Sequence, residues 1–280
     1  MTHLILGGSG KVGRRLTQLL DLAGHPTRPV SRSTATVFDW HDESTWPPAL
    51  DGVTSMFVVG PGSSSDWSPQ LTRLLDLAHH LGTEHVVLLS ARAVEFLPDG
   101  AVGRAEQALQ RGPIPWTVLR PSHFAQNFTE AMFVPADGRI VAPAGTGAEP
   151  FVDVADVAAV AAAVMTKREY DGRMLALSGP EALTFEEAAA QLTETTGISV
   201  RFEDESDCDH ADRLRAAGTP EMYVQWRMAM LNGIRSGADS YVSTGVTDVL
   251  RRPATTFTTW AQREAAPALP KAELRRSSTS

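Results

Sequence analysis

The sequence predicts an α/β protein: a doubly wound parallel Rossmann sheet with a smaller C-terminal α/β lobe. Three observations lead there. Short, continuously apolar runs recur along the 280 residues, amphipathic patterns at three- and four-residue spacing separate them, and the first run opens directly into glycines three apart. Such runs suit strands covered on both faces, and their alternation with helices implies right-handed crossovers.

The first run is THLILG (2–7), and behind it Val12, Leu16, Leu19, Leu20 and Ala23 predict a helix that stops at Gly24. A second strand ends in Pro29-Val30-Ser31-Arg32-Ser33; proline donates no ladder hydrogen bond, so this strand is expected to bend or unpair locally. TVFDW (36–40) reads as a third strand and VTSMFVVG (53–60) as the next. Leu71, Leu74, Leu75, Ala78 and Leu81 then predict a helix before Gly82, with His79 and His80 placed where the helix dipole favours a cation. HVVLLS (85–90), a helix through Val102, Ala105 and Leu109, WTVLRP (116–121) and RMLALSG (173–179) continue the alternation. Asp153 with Asp156, and Thr184 with Glu187, have the spacing of helix caps, the second pair matching a capping box. After Gly179 the rhythm changes. SVRFED and the helical PEMYVQWRMAMLNGIRSG belong to the smaller lobe, with ADGRIVAPAG (136–145) as an excursion joining it. The expected organisation is residues 1–135 and 150–180 for the Rossmann domain, 136–149 and 181–265 for the smaller, substrate-covering lobe, and 266–280 for a polar, disordered tail.

Net charge is −8 and no run of Lys or Arg forms a stripe, which argues against nucleic acid as a direct ligand. Cys208 is the only cysteine, so no intrachain disulfide forms, and a cytoplasmic setting is expected. The amino terminus enters its first strand without the basic start and apolar stretch of a signal peptide, and VADVAAVAAAVM is too short to span a membrane. The expected partner is a small-molecule substrate, with a homodimer as the candidate assembly and neither nucleic acid nor membrane involved.

Gly7, Gly10 and Gly13 follow a strand and open a helix, the setting a phosphate loop requires. Glycine permits the tight turn and the close approach of a pyrophosphate, while the helix start supplies N–H groups and a positive dipole end. GGSGK lacks the last glycine of G-x-S-x-G, and Val12 follows Gly10-Lys11 where a P-loop has Ser or Thr. The alternative is a purely structural strand-to-helix turn. At the end of the second strand no acid occurs until Asp39, whereas Arg32 offers a permanently charged fork and Ser31 and Ser33 offer hydroxyls. That pattern favours NADP(H) over NAD(H), unless Arg32 is simply an exposed loop residue. Asp39 and Trp40 are expected to border the adenine.

The segments GGSGKVGRRL, VSRS, FDW, VVLLSA, AEQALQRGPIPWTVLRPSHFAQNF and PFVDVADVAAV resemble the NmrA-like atypical short-chain dehydrogenases/reductases, including their NADPH-dependent quinone and iminium reductases. The resemblance extends through GPEALTFEEAAAQL and covers nearly the whole chain. It implies that Gly7, Gly10, Val12 and Gly13, with Lys11 in the same loop, line the pyrophosphate. It further implies that Arg32 and Ser33 hold the 2′-phosphate, and that Gly60 and Pro61 lie under the nicotinamide ribose.

In ordinary short-chain dehydrogenases a Tyr-x-x-x-Lys pair falls just before the position of Glu106; this chain reads LPDGAVGRAE there, and Tyr170, Tyr223 and Tyr241 lie far downstream. Ketone reduction needs a proton donor poised at the oxygen. A quinone, an imine or iminium ion, or an enone accepts hydride more readily, and positioning then supplies most of the catalysis. An NADPH-dependent oxidoreductase acting on such an acceptor is the expected function; the alternatives are a non-catalytic NAD(P)-binding redox sensor or regulator, and a redox-neutral cyclase or isomerase on the same scaffold. His123, just after WTVLRP, is the candidate catalytic proton donor, and a loop histidine bonded to backbone is its alternative. Ser90 is expected to orient the cofactor or the backbone. Phe124, Asn127 and Phe128 are expected either to wall the substrate or to pack a helix. No metal is expected: DESDCDHAD, with Cys208 and His210, lacks a metal-ligand spacing and reads as a solvated loop or helix start. Met222, Trp226, Met228, Met230 and Leu231 either cover a bulky substrate or form helix core.

Overall fold

The computed structural model describes residues 2–62 and 65–269. Its elements in chain order begin with β1 (Thr2–Leu6), α1 (Lys11–Leu22), β2 (Thr27–Val30), α2 (Trp46–Leu50), β3 (Val53–Val58), α3 (Ser68–His80), β4 (His85–Leu89), α4 (Ala101–Arg111) and β5 (Trp116–Pro121). They continue with α5 (Asn127–Glu130), β6 (Arg139–Ala142), β7 (Ala148–Glu149), α6 (Val154–Thr166), β8 (Arg173–Leu177), β9 (Leu183–Thr184) and α7 (Phe185–Thr196). The last are β10 (Arg201–Asp204), α8 (Asp207–Ala216), α9 (Glu221–Arg235), α10 (Gly245–Leu250) and α11 (Phe257–Trp260).

Two compact units share the chain. Residues up to 121, 155–177 and 245–251 form the first, and 122–154, 178–244 and those from 252 onward form the second. The first unit thus ends at 121 where the sequence suggested 135, and resumes at 155 where it suggested 150. The reason is apolar: Phe128, Phe133 and Phe151 join the aromatic core of the second unit. The six-residue α10 packs on β8, and its pattern is too short to be assigned from sequence. The tail also starts later than expected. Residues 266–269 are helical and Leu269 is buried in the core; the rest of the expected disordered tail, 270–280, lies outside the described residues.

In the first unit six parallel strands form one sheet in the order β2-β1-β3-β4-β5-β8. Leu4, Ile5, Met56, Phe57, Val58, Val86, Val87, Leu88, Val118 and Leu119 are fully buried, as strands covered on both faces require. Each such side chain contributes about 1.5–3 kcal/mol by leaving water. Helix α1 buries Val12, Leu16 and Leu20, while α3 buries Leu71, Leu74, Leu75 and Ala78. Pro29 causes no bend: β2 pairs with β1 from Thr27 to Val30 and lies at the sheet edge, where a missing donor is harmless. TVFDW is not a strand. Two isolated bridges, Ser31 with Val37 and Asp39 with Asp42, replace a ladder, and side chains hold the segment, with Phe38 stacked on Trp46 and Trp46 Nε1 donating to the Asp39 carbonyl at 2.8 Å.

The second unit joins a parallel pair, β6 with β10, and an antiparallel pair, β7 with β9. Phe128 touches Phe133, Phe151, Phe185 and Phe257 with ring centroids 5.0–6.0 Å apart, the spacing of favourable edge and tilted contacts. Met230 and Leu231 are buried in this unit, whereas Met222, Trp226 and Met228 are half-buried. The capping box forms as expected: the Glu187 N–H donates to Thr184 Oγ1 at 3.1 Å and the Thr184 N–H to Glu187 Oε2 at 2.8 Å. Among the described residues no helix is long and apolar enough to cross a membrane.

Candidate functional site

Within the first unit, the β1–α1 loop is shaped by backbone groups. Gly7 takes φ +69°, the left-handed region glycine enters without cost, and the Gly7 and Gly8 N–H groups both donate to the Val30 carbonyl at 3.1 and 3.2 Å. The Gly10 N–H donates to the Gly7 carbonyl at 2.8 Å. Gly13 lies so close beneath that a Cβ there would stand 2.2 Å from the Gly7 oxygen. These glycines therefore spend their groups on making the turn, and what faces an anion is the first turn of α1. That turn has no side-chain cap and no acid, so the positive end of a 12-residue helix is left for a phosphate to complete. Lys11 begins the helix; Val12 is buried and serves the loop through its backbone.

Beside this loop a cavity of about 230 Å³ opens at the carboxyl ends of β1, β2 and β3, where the strand order reverses. Gly7, Ser31, Arg32, Asp39, Trp40, His41, Gly60 and Pro61 are among its lining residues. The structure thus brings the expected Arg32, Asp39, Trp40, Gly60 and Pro61 together; Ser33 is exposed, close to Ser31 Oγ, and outside the lining. Arg32 is exposed and has no hydrogen-bond or ion-pair partner among the described residues. Trp40 is fixed by its Nε1, which donates to the Val59 carbonyl at 3.2 Å, and Asp39 Oδ1 accepts the His41 N–H at 2.9 Å. A helix start for the diphosphate, an aromatic wall for the base and a free guanidinium for a 2′-phosphate fit the residues present to NADP(H).

Ser90, at the end of β4, is committed elsewhere. Its hydroxyl donates to Glu106 of α4, whose carboxylate also holds Arg120 through Nε at 2.9 Å and a second nitrogen at 2.5 Å. Ala101, Gly103 and Ala105, also buried in α4, occupy the segment where ordinary relatives carry the Tyr/Lys pair. Ser90 thus donates its hydroxyl hydrogen to the Glu106–Arg120 ion pair.

Within the second unit, His123 is buried with two acids. Its backbone N–H donates to Glu149 Oε1 at 2.8 Å, and its ring Nδ1 lies 3.3 Å from the same oxygen. One ligand-type atom from each of His123, Glu149 and Asp239 lies within 4.8 Å of the others, and all three residues are buried. Burial alone raises the Glu149 pKa, but the charge and hydrogen bonds of His123, joined by a hydrogen bond from Asp239, hold it below the ordinary carboxylate range. Among the described residues, His123 Nε2 and Glu149 Oε2 have no hydrogen-bond partner. Neither Glu149 nor Asp239 could be found from spacing: they lie in GAEP and SGADS, far from His123 in the chain.

The neighbours of His123 divide. Phe124 is half-buried and Asn127 nearly buried, whereas Phe128 is wholly inside the aromatic core and cannot wall a substrate. His210 corrects another expectation. The helix start expected for DESDCDHAD forms, with Ser206 capping α8, but His210 within it is buried: its Nε2 accepts from Arg227 at 2.9 Å, its Nδ1 meets Glu205, and burial lowers its pKa.

The chain matches no family model. It is 32% identical to an uncharacterised oxidoreductase of Bacillus subtilis, over 89% of this chain and 88% of the relative. It is 33% identical to the (4-alkanoyl-5-oxo-2,5-dihydrofuran-3-yl)methyl phosphate reductase of Streptomyces griseus, over 94% of this chain and 97% of that protein. Its fold matches the NADPH-dependent quinone oxidoreductase of Escherichia coli, solved with NADPH, with a TM-score of 0.79 at 23% identity over 93% and 99% of the two chains. With that likeness along almost its full length and a Rossmann sheet carrying the glycine loop, the chain is an oxidoreductase belonging to the NmrA-like atypical short-chain dehydrogenase/reductase family.

Proposed function

We propose that this protein is an NADPH-dependent reductase of conjugated acceptors, namely quinones, imines or iminium ions, and enones. The observation that carries the reading is Arg32, a guanidinium without a partner among the described residues, lining the cavity beside an uncapped helix start. NADPH bound there supplies the hydride. Arg32 reads the 2′-phosphate, the first turn of α1 with Gly7, Gly10, Lys11, Val12 and Gly13 holds the diphosphate, and Asp39, Trp40, Gly60 and Pro61 bound the remaining nucleoside surfaces. The Streptomyces griseus relative supports the acceptor class, because the name of its substrate describes a ring alkene conjugated to carbonyl groups.

His123 is the proton donor of this reading, standing two residues beyond β5 in the chain, with Phe124 and Asn127 as the neighbouring acceptor contacts. The absence of a Tyr/Lys pair from α4 steers the activity away from unactivated ketones. Purified protein mixed with NADPH and a panel of quinones, cyclic imines, iminium salts and enones is expected to consume the reduced nicotinamide absorbance with at least one class. No turnover across the panel, with NADPH bound, contradicts it.

A further inference from the structure

We infer that Glu149 and Asp239 are positioning residues that act through His123, the three side chains forming a buried proton-delivery unit; this rests on the reading of His123 as the donor. The three come from separate segments of one unit: the stretch after β5, strand β7 and the loop after α9. The lowered pKa of Glu149 favours its carboxylate, whose oxygens only accept, and that assigns the hydrogen of this contact to the ring nitrogen 3.3 Å from Oε1. The same oxygen accepts the backbone N–H of His123 at 2.8 Å, which ties the carboxylate to the histidine main chain and fixes the plane of the ring. Nδ1 is then committed, and Nε2 is the nitrogen left to exchange a proton. It is more than nine-tenths buried and has no hydrogen-bond partner among the described residues, the condition of a polar atom awaiting a ligand.

Asp239 completes the unit. One of its ligand-type atoms lies within 4.8 Å of one on each of the other two residues, and its side-chain hydrogen bond with Glu149 helps hold the Glu149 pKa below the ordinary carboxylate range. His123 donates in its doubly protonated form, with Nδ1–H directed at Glu149 and Nε2–H at the acceptor. A quinone or enone that has accepted hydride carries a negative charge; the Nε2–H bond breaks, an O–H or C–H bond forms, and imidazole remains with Nδ1–H on Glu149 until water restores Nε2–H. An iminium ion ends neutral after hydride and needs no proton. A divalent cation is the competing occupant. Glu149 Oε2 is open to it, and metal analysis of the purified protein distinguishes the two.

The test compares acceptors. Glu149→Gln is expected to lower kcat for a quinone or enone about 100-fold and Asp239→Asn about 10-fold, each at least about 10-fold and 3-fold more than for an iminium salt. Equal losses with both acceptor classes overturn the inference. Ring ¹⁵N NMR of the wild-type protein, with the His123 signal identified by its loss in His123→Asn, reads the tautomer without requiring turnover. Nδ1-protonated His123 supports the inference, and an Nε2–H, Nδ1-bare ring overturns it even where the reductase reading stands. Stoichiometric metal in the purified protein that is lost in Glu149→Gln also overturns it. Should no acceptor be reduced while NADPH binds, the reductase reading fails separately from the tautomer result.

Discussion

At the β1–α1 junction, the groups offered to a ligand are backbone groups between Gly7 and Gly13; around His123 they are side chains from positions 123, 149 and 239. The first site is made by what is absent, namely a Cβ at Gly13 and a cap on α1. The second is made by what is present, a carboxyl oxygen that accepts the backbone N–H of one histidine and lies against the ring nitrogen of the same residue. A site of the first kind is sensitive to steric bulk and indifferent to pH, because amide groups and a helix dipole do not titrate. One of the second kind is sensitive to charge, since its geometry depends on which group holds the proton.

Substitutions can break or sharpen that contrast. The largest effect is expected from Gly13→Val, which drives a branched side chain into the Gly7 carbonyl and costs about 2–3 kcal/mol of stability by overpacking. NADPH affinity is expected to fall by about 100-fold, as read by fluorescence titration, while His123→Ala changes it by less than about 3-fold. Wild-type affinity in Gly13→Val breaks the contrast. Arg32→Glu comes next: NADPH binding is expected to weaken about 30- to 100-fold and NADH binding by less than about 3-fold, and equal losses sink the 2′-phosphate assignment.

Glu149→Gln is expected to cost about 1–3 kcal/mol at pH 7 in urea unfolding. The native pKa of Glu149 is depressed, so its contribution is fully present above its unfolded value and is lost as pH falls through the lower native one. The difference between wild type and Glu149→Gln should therefore persist from pH 7 down to about pH 4.5 and shrink only below it. A difference that vanishes by pH 6 contradicts an ionised Glu149. The smallest effect is expected from Trp40→Ala, which removes an aromatic wall and should weaken NADPH and NADH alike by about 10-fold in the same titrations.

The contrast also explains what could be read in the sequence. Strands β1, β3, β4, β5 and β8, helices α1, α3 and α4, and the Thr184 cap are local: continuous apolar runs, three- and four-residue spacing, and one capping pair specify them. The glycine loop is equally local, and Arg32 lies at the end of the next strand, so much of the lining of the cavity beside the loop is legible. TVFDW misled because its apolar alternation serves a tryptophan cluster, with Trp40 and Trp46 bonding backbone carbonyls instead of a ladder. Phe128 looked equally suited to a ligand wall and to a core until Phe133, Phe151, Phe185 and Phe257 were found around it. Glu149 and Asp239 were invisible because no spacing rule links positions that only tertiary folding joins. His210, surrounded by charges in the chain, is buried by Arg227 of another helix for the same reason.

Calorimetric titration of the well-folded wild-type protein with NADPH and with NADH tests the central claim most directly. Saturable NADPH binding at one site per chain, with NADH clearly weaker, is the predicted result. No heat from either nucleotide would leave the glycine loop a mere structural turn and contradict the account.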